Sequence, residues 1–386
     1  MKPPDDCRGC GVCAGLCPHD AICMQLSHEG YYRATIDEDK CTECGLCEKI
    51  CPSRNSLKLS TKEDSLGQFN HAYVGHSKDS SIRNSSASGG CVTSALCSLL
   101  DNGEVGGCIV VHESEKSSLR FEPCIATTKK EVIAASGSKY YPVEFSGVLR
   151  EAVSTGKKYA LVGLPCVCQA IANGKSVSSE VRRTFPYVYS LVCGKCKTTH
   201  FTEGIAYAAT GSHDVDRIRY RTKGNYPLSN YRYLFEKGTK QTKLPFTTSP
   251  IAKLWGNKTL TLPGCHTCND TFGIGADAAF MDAWASPYSF STKGYNFVLT
   301  KGKREELEHS CELKAIDLKE VLQSQDGVLR QKLMNSDRRE KVGTTSEQYK
   351  TINTAFNEHT SSVFSPATAK RFARFIVSQL RLLIQK

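Results

Sequence analysis

Eight cysteines open the chain in two copies of one pattern. Cys7, Cys10, Cys13 and Cys17, followed by Pro18, spell C-x2-C-x2-C-x3-C-P, and Cys41, Cys44, Cys47 and Cys51, followed by Pro52, repeat it 34 residues later. Three thiolates on a tight loop can grip three irons of one cubane, while a fourth, carried into a short helix, points to another cluster. Zinc also accepts C-x2-C pairs, but it explains neither the three-cysteine run nor the proline after the fourth cysteine, twice. The runs therefore predict two [4Fe–4S] clusters, a wire for single electrons.

Residues 1–58 resemble the bacterial-type two-cluster ferredoxins along nearly their whole length. In those proteins the fourth cysteine of each run ligates the partner cluster. One cluster is then expected on Cys7, Cys10, Cys13 and Cys51, the other on Cys41, Cys44, Cys47 and Cys17. Cys23 lies outside the pattern and is expected as a packed thiol.

More cysteines follow in looser array. Cys193 and Cys196 stand in LVCGKC, Cys265 and Cys268 in PGCHTCND, and Cys166 and Cys168 in VGLPCVCQ. Two C-x2-C pairs serve either a zinc ribbon or a third cubane, and spacing leaves both open. The turn SSASGG, 85–90, precedes a helical pattern. It either presents free N–H groups to an anion such as a cofactor phosphate or merely caps the helix. No G-x-G-x-x-G follows a strand pattern, so a Rossmann dinucleotide site is not supported.

Taken in order, SSASGG, GSKYY (137–141), VGLPCVCQ (162–169), LVCGKC (191–196), CHTCNDTFGIGADAAFMDAW (265–284) and KGYNFVLTKG (293–302) resemble the coenzyme F420 hydrogenase/dehydrogenase beta-subunit family. The resemblance covers about residues 70–310, and a fused N-terminal ferredoxin is a common architecture in that family. It implies a non-Rossmann FAD site beside a [4Fe–4S] cluster, with hydride exchange between flavin and an organic partner. The third cluster would sit on Cys166, Cys193, Cys265 and Cys268. The flavin pocket would include Ser86, Ser88, Gly89 and Gly90, with Lys139 near the isoalloxazine. Two departures stand out: Val167 and Cys168 intervene before Gln169, and Cys196 stands where no ligand is expected, leaving Cys193 and Cys196 as alternatives.

The resemblance further implies a ferredoxin or another redox protein as electron partner, and a small-molecule substrate or deazaflavin coenzyme. Surface-polysaccharide assembly is one setting in which such proteins occur. A reductase with a ferredoxin-type donor is the favoured reading. Its competitor is a non-catalytic electron-transfer subunit of a larger redox complex. Self-association is left open.

The elements that must position these residues show in pattern and composition. The 386 residues are 40% hydrophobic and 23% charged, ordinary globular values, with 20 cysteines and a formal charge of +11. Residues 1–58 carry seven Lys/Arg against nine Asp/Glu, so the basic character belongs to the rest. The start lacks an apolar signal region, and no run is long enough to span a bilayer, so a cytoplasmic protein using cysteine for redox chemistry is expected. Val92–Leu100 reads as a helix, Cys108–His112 as a strand, Phe145–Ser154 as a helix, Tyr159–Gly163 and Tyr187–Val192 as strands, and His200–Ala209 as a helix. Arg217–Gly256 lacks clear periodicity and reads as loops or short strands, while Ala367–Gln385 reads as a basic amphipathic helix packed on its own domain.

The expected architecture is mixed α/β of the α+β kind. A ferredoxin-like domain (1–58) and a linker (59–80) precede a non-Rossmann mixed-sheet flavin and iron–sulfur domain (81–320) and a C-terminal helical extension (321–386). Cys91, Cys97, Cys108, Cys124 and Cys311 read as small core residues. Asp277, Asp282 and Trp284 fit the family segment, and a capped turn with a packed tryptophan equally well. No nucleic-acid module and no membrane association are expected.

Overall fold

Short apolar runs such as Ile109–Val110 and Phe297–Leu299 can hide all their side chains only inside a sheet covered on both faces. That is where they lie in the computed structural model, which describes residues 2–114, 120–212, 215–334 and 341–362. Thirteen strands are described: β1 Ile22–Leu26, β2 Tyr32–Ile36, β3 His71–Ser77, β4 Gly107–Glu113, β5 Phe121–Ala126, β6 Tyr159–Gly163, β7 Tyr187–Leu191, β8 Arg217–Thr222, β9 Arg232–Lys237, β10 Lys240–Pro245, β11 Ala278–Asp282, β12 Asn296–Thr300 and β13 Cys311–Ile316. Eight of them form one mixed sheet in the order β13-β3-β12-β11-β7-β6-β4-β5. Within it β4, β6, β7 and β11 are parallel neighbours, and β5, β12 and β13 run against theirs.

The two-residue period of the strands divides the core. Cys108 and Val110 face the helix Cys91–Asp101, while Ile109 faces the helices Ser146–Ser154 and Pro165–Val177. Cys91, Cys97, Cys108 and Cys311 are buried in the first of these layers, and Cys124 packs against it half-buried. Phe297 is fully buried in the second layer, and truncating it to alanine would cost about 3–5 kcal/mol.

The first 58 residues are not a separate bead. Val12 and Ile50 belong to the same apolar core as Phe145, Leu149, Val167 and Ile171. Arg150 donates to the Ala14 carbonyl at 3.1 Å, Asn173 Nδ2 to the Ile50 carbonyl at 3.2 Å, and Phe145 N to the Cys10 carbonyl at 3.1 Å. The antiparallel hairpin β1–β2, with Ile22 opposite Ile36, closes a small core of its own over Ala14.

Several expectations are corrected. The stretch 59–80 is not all linker: Leu66 and Phe69 are buried, and 71–77 form β3 between β13 and β12. Its short apolar alternation, AYVGH, was masked by glycine and histidine. The segment 217–256, expected as loops or short strands, forms the short strands of an antiparallel sheet β10-β9-β8 and, beyond that expectation, a helix Ile251–Gly256. Tyr220, Tyr233 and Phe235 bury their rings there, a role their polar neighbours hide. Cys23 is exposed on β1 rather than packed. The helix expected over Ala367–Gln385 lies outside the described residues. Helices Leu318–Ser324, Asp326–Leu333 and Thr345–Ser362 occupy the described part of the C-terminal segment. Among the described residues no helix is long and apolar enough to cross a membrane.

Candidate iron–sulfur and anion-binding site

Each N-terminal run winds a loop into a short helix, Val12–Gly15 and Leu46–Ile50, so that its cysteines turn inward. Cys7, Cys10, Cys13 and Cys51 line one recess with Ile22 and Ile50. Cys17, Cys41, Cys44 and Cys47 line a second, and Cys47 also borders the first. The fourth cysteine of each run thus lies with the three of the other. Burial pushes the Cys13 thiol up to about 12, and Cys7, Cys51 and Cys47 add to the rise. Thiols so crowded resist becoming thiolates unless a cationic iron core offsets them, so these residues fit a cluster. Among the described residues no three His, Cys, Asp or Glu side chains are grouped to hold a metal ion. A cubane spreads its thiolates further than one ion does, since each sulfur binds a different iron.

A further set gathers where strands of the large sheet end. Cys166 sits in the first turn of the helix Pro165–Val177 after β6, and Cys193 follows β7. Cys265 lies on the short helix Pro263–His266, with Cys268 just beyond. Loops at the carboxyl ends of parallel strands are where open α/β sheets bind ligands. Cys265, Cys166 and Cys268 are among the strongest charge neighbours of Cys193. Burial pushes the Cys166 thiol up to about 12, opposed by Arg8. Burial also raises Cys193 and Cys265, opposed in both by Lys332. At Cys268 burial is outweighed by Lys332 and then Arg8, which bring it below its ordinary value.

Cys196 also borders this set, with Cys265, Cys193 and Cys166 as its strongest charge neighbours. Its backbone N–H donates to Cys265 Sγ at 3.3 Å, while its own thiol donates to the Lys197 carbonyl at 3.6 Å. The carboxylate of buried Asp270 accepts from Gly273 N at 2.8 Å and shapes the turn after Cys268.

The N-terminal domain forms one wall of this site. A Cβ at Gly264 would stand 2.5 Å from the Asp6 carbonyl oxygen, 2.8 Å from Arg8 Cγ and 2.9 Å from the Cys7 oxygen, so only glycine lets the segments meet. Thr267 Oγ1 donates to Asp6 Oδ2 at 2.8 Å. Cys166 is also the strongest charge neighbour of Cys10, so the first recess abuts the third set.

The turn 85–90 lies near β3 and β12. The helix Cys91–Asp101 begins at Gly90 without a side-chain cap, and Ser86 Oγ is buried without a hydrogen-bond partner. Ser88 Oγ donates to the Tyr295 carbonyl at 2.7 Å, and a Cβ on Gly89 would collide with Asn296 N and the Gly75 oxygen at 2.8 Å. Cations surround this turn. Lys223 Nζ donates to the carbonyls of Arg83 and Ser88, and Arg83 to that of Gly294. Arg221 pairs with Asp282 and lies over the rings of Tyr231 and Trp284, yet its Nε and Nη2 are buried without partners. Burial lowers Lys223 to about 8, with Arg83 and Arg221 adding to the drop. Orphaned guanidinium nitrogens among cations fit an anionic group. Lys139, lowered to about 8 by burial, instead donates to carbonyls of its own loop, among them Ser136 at 3.1 Å.

Asp277 accepts from Val188 N at 2.8 Å and pairs with Lys175 and Arg304, a structural role. Trp284, 37% exposed, is not a packed tryptophan. Arg8, Lys332, Arg221 and Lys223 escaped the sequence reading: single cations far apart in the chain have no spacing to read.

Two thiol-lined recesses in an N-terminal domain docked beside a mixed sheet point to an iron–sulfur redox protein. Residues 72–150 match the N-terminal part, and 156–320 the C-terminal part, of the coenzyme F420 hydrogenase/dehydrogenase beta subunit, and residues 6–55 match the 4Fe-4S dicluster domain. The chain belongs to the coenzyme F420 hydrogenase/dehydrogenase beta-subunit family and carries a 4Fe-4S dicluster domain at its N-terminal end.

An uncharacterized protein of Methanocaldococcus jannaschii is 26% identical over 223 residues, 56% of this chain and 56% of that protein. The coenzyme F420 hydrogenase subunit beta of Methanothermobacter thermautotrophicus is 29% identical over 134 residues, 34% of this chain and 44% of that one. The chain thus spans about half the length of the relatives it matches. A chain of the F420-reducing [NiFe] hydrogenase complex from Methanosarcina barkeri shares the fold, with a TM-score of 0.53 at 20% identity over 70% of this chain and 92% of that one.

Proposed function

We propose that the protein is an FAD-dependent iron–sulfur oxidoreductase acting as a reductase with a ferredoxin-type donor. The carrying observation is the abutment of Cys10 and Cys166, which joins the N-terminal recesses to the set Cys166, Cys193, Cys265 and Cys268. Cys44 is exposed at the far recess, so an electron partner would dock there. The order from donor inward is then the Cys17/Cys41/Cys44/Cys47 set, the Cys7/Cys10/Cys13/Cys51 set and the third set. Ligation by Cys193 rather than Cys196 follows the family pattern, since both thiols neighbour Cys265 and Cys166.

FAD, when bound, would convert single electrons into hydride pairs for a small-molecule substrate or a deazaflavin-type coenzyme. Arg83, Arg221 and Lys223 would hold its phosphates beside Ser86 and Ser88, and Trp284 would border the mouth of the site. No disulfide joins cysteines among the described residues, which suits a reducing, cytoplasmic setting.

A second reading follows from the relatives' names, which include a hydrogenase subunit and a hydrogenase complex. In it the chain relays electrons to a catalytic partner. Anaerobic purification decides between them. Bound FAD, with reduction of F420, NAD(P)+ or another acceptor by the isolated chain plus dithionite, supports the enzyme; a flavin-free chain that reduces none sinks it.

A further inference from the structure

The third thiol set differs from the other two in the charge built around it. Lys332, on the helix Asp326–Leu333, is 2% exposed and donates from Nζ to Cys268 Sγ at 3.1 Å. Arg8 arrives from the opposite end of the chain, between Cys7 and Cys10, with its side chain against Gly264. Its Nε is buried without a hydrogen-bond partner. Facing these two cations is one buried carboxylate, Asp270, which accepts from the N–H groups of Gly273 and Ile274. Lys195 adds a further, half-buried cation near Cys265. The strongest charge neighbours of Cys13 and Cys47 are other thiols and Glu48, and the cations that line the first recess besides Arg8 are the exposed Lys2 and Arg54.

We infer that Lys332 and Arg8 are positioning residues that make the third cluster the most readily reduced of the three, so that electrons entering the N-terminal domain run inward. This rests on the third-cluster assignment of the proposed function. The step is a one-electron transfer: a ferredoxin-type reductant is oxidised by one electron, and the centre held by Cys166, Cys193, Cys265 and Cys268 gains it. No bond breaks and no proton moves. Reduction adds one negative charge to a buried centre, and two buried cations oppose that charge more strongly than solvent-screened ones would. Arg8 has a second consequence: its place between Cys7 and Cys10 ties the cationic environment of the third set to docking of the N-terminal domain.

The test is a dye-mediated redox titration of the full-length reconstituted protein, followed by EPR, with iron counted in every sample. Cys265→Ser identifies the signal of the third cluster. Lys332→Gln and Arg8→Gln are each expected to keep about twelve irons. Each should lower the midpoint potential of that signal by about 59 mV, a tenfold change in a one-electron equilibrium. Lys332→Arg should keep the wild-type potential.

An unchanged potential in both glutamine variants overturns the inference, as does a wild-type third signal that is reduced last. Should Lys332→Gln shed iron, Arg8→Gln decides: a lowered potential supports the inference and an unchanged one ends it. About eight irons in the wild type would instead remove the third cluster itself, and with it the reading beneath this inference.

Discussion

The N-terminal thiols and the third set solve one problem in two ways. Cys7, Cys10 and Cys13 come from a single loop, and the second run adds Cys51, with Cys47 on the border of both recesses. The third set draws on three separated segments, at Cys166, Cys193 and Cys265–Cys268. Its neighbours come from still further away, Arg8 and Lys332. The first arrangement costs little chain entropy to assemble, since short loops close easily. The second exists only once the eight-stranded sheet has formed and the N-terminal domain has docked. At the edge of a local site Cys44 is exposed, whereas in the distant set Cys268 is buried beside Lys332.

Substitutions can break this contrast at its strongest point first. Cys265→Ser should remove about four of about twelve irons while the N-terminal clusters persist by EPR. A full iron complement would refute the assignment.

Next in size is the domain contact. Gly264→Val would drive carbon into the Asp6 and Cys7 carbonyl oxygens, atoms that cannot swing aside. Stopped-flow reduction should show electron arrival at the third cluster slowed by about tenfold or more, with the N-terminal clusters reduced at the normal rate. An unaltered rate would separate electron flow from docking.

The anion recess gives a smaller effect. Lys223→Gln should weaken FAD binding by about tenfold, measured by fluorescence titration of the apoprotein. The pH dependence has a definite sign. Lys223, lowered to about 8 chiefly by burial with Arg83 and Arg221, keeps its ammonium below that pH and loses it above. FAD affinity should therefore hold near pH 7 and fall as pH rises through about 8, with Asp282 a nearby counter-charge. Free-protein stability runs the other way, rising with pH between about 8 and 10.5, because the unfolded chain then binds the extra proton. A flat affinity profile across that range would detach Lys223 from the flavin.

The smallest expected change sharpens the ligand choice. Cys196→Ser should leave the iron count unaltered, since the contact to Cys265 Sγ comes from its backbone N–H, whereas Cys193→Ser should lose iron like Cys265→Ser. The reverse pattern would exchange their roles.

In the large sheet β4, β6 and β7 were legible because they follow simple periods, as does the helix over Val92–Leu100, which became Cys91–Asp101; β5, β11, β12 and β13 were not read as strands. β3 escaped because a strand with glycine and histidine beside a polar stretch has weak alternation. For β8–β10 the choice between loops and short strands stayed open because tyrosine carries both a buried ring and a polar tip, so its burial shows only after packing.

Sequence alone determined the thiol pattern of the two N-terminal runs, since a cubane's reach translates directly into residue spacing. It also supplied the family resemblance that the matched segments bear out. Tertiary structure alone decided that the first recess abuts the third set, that Arg8 and Lys332 converge on Cys268, and that Arg221 is left with bare nitrogens beside the 85–90 turn. The physical reason is range. Ligand spacing is a local property of the chain, whereas a buried charge acquires its meaning from neighbours that folding brings in from hundreds of residues away.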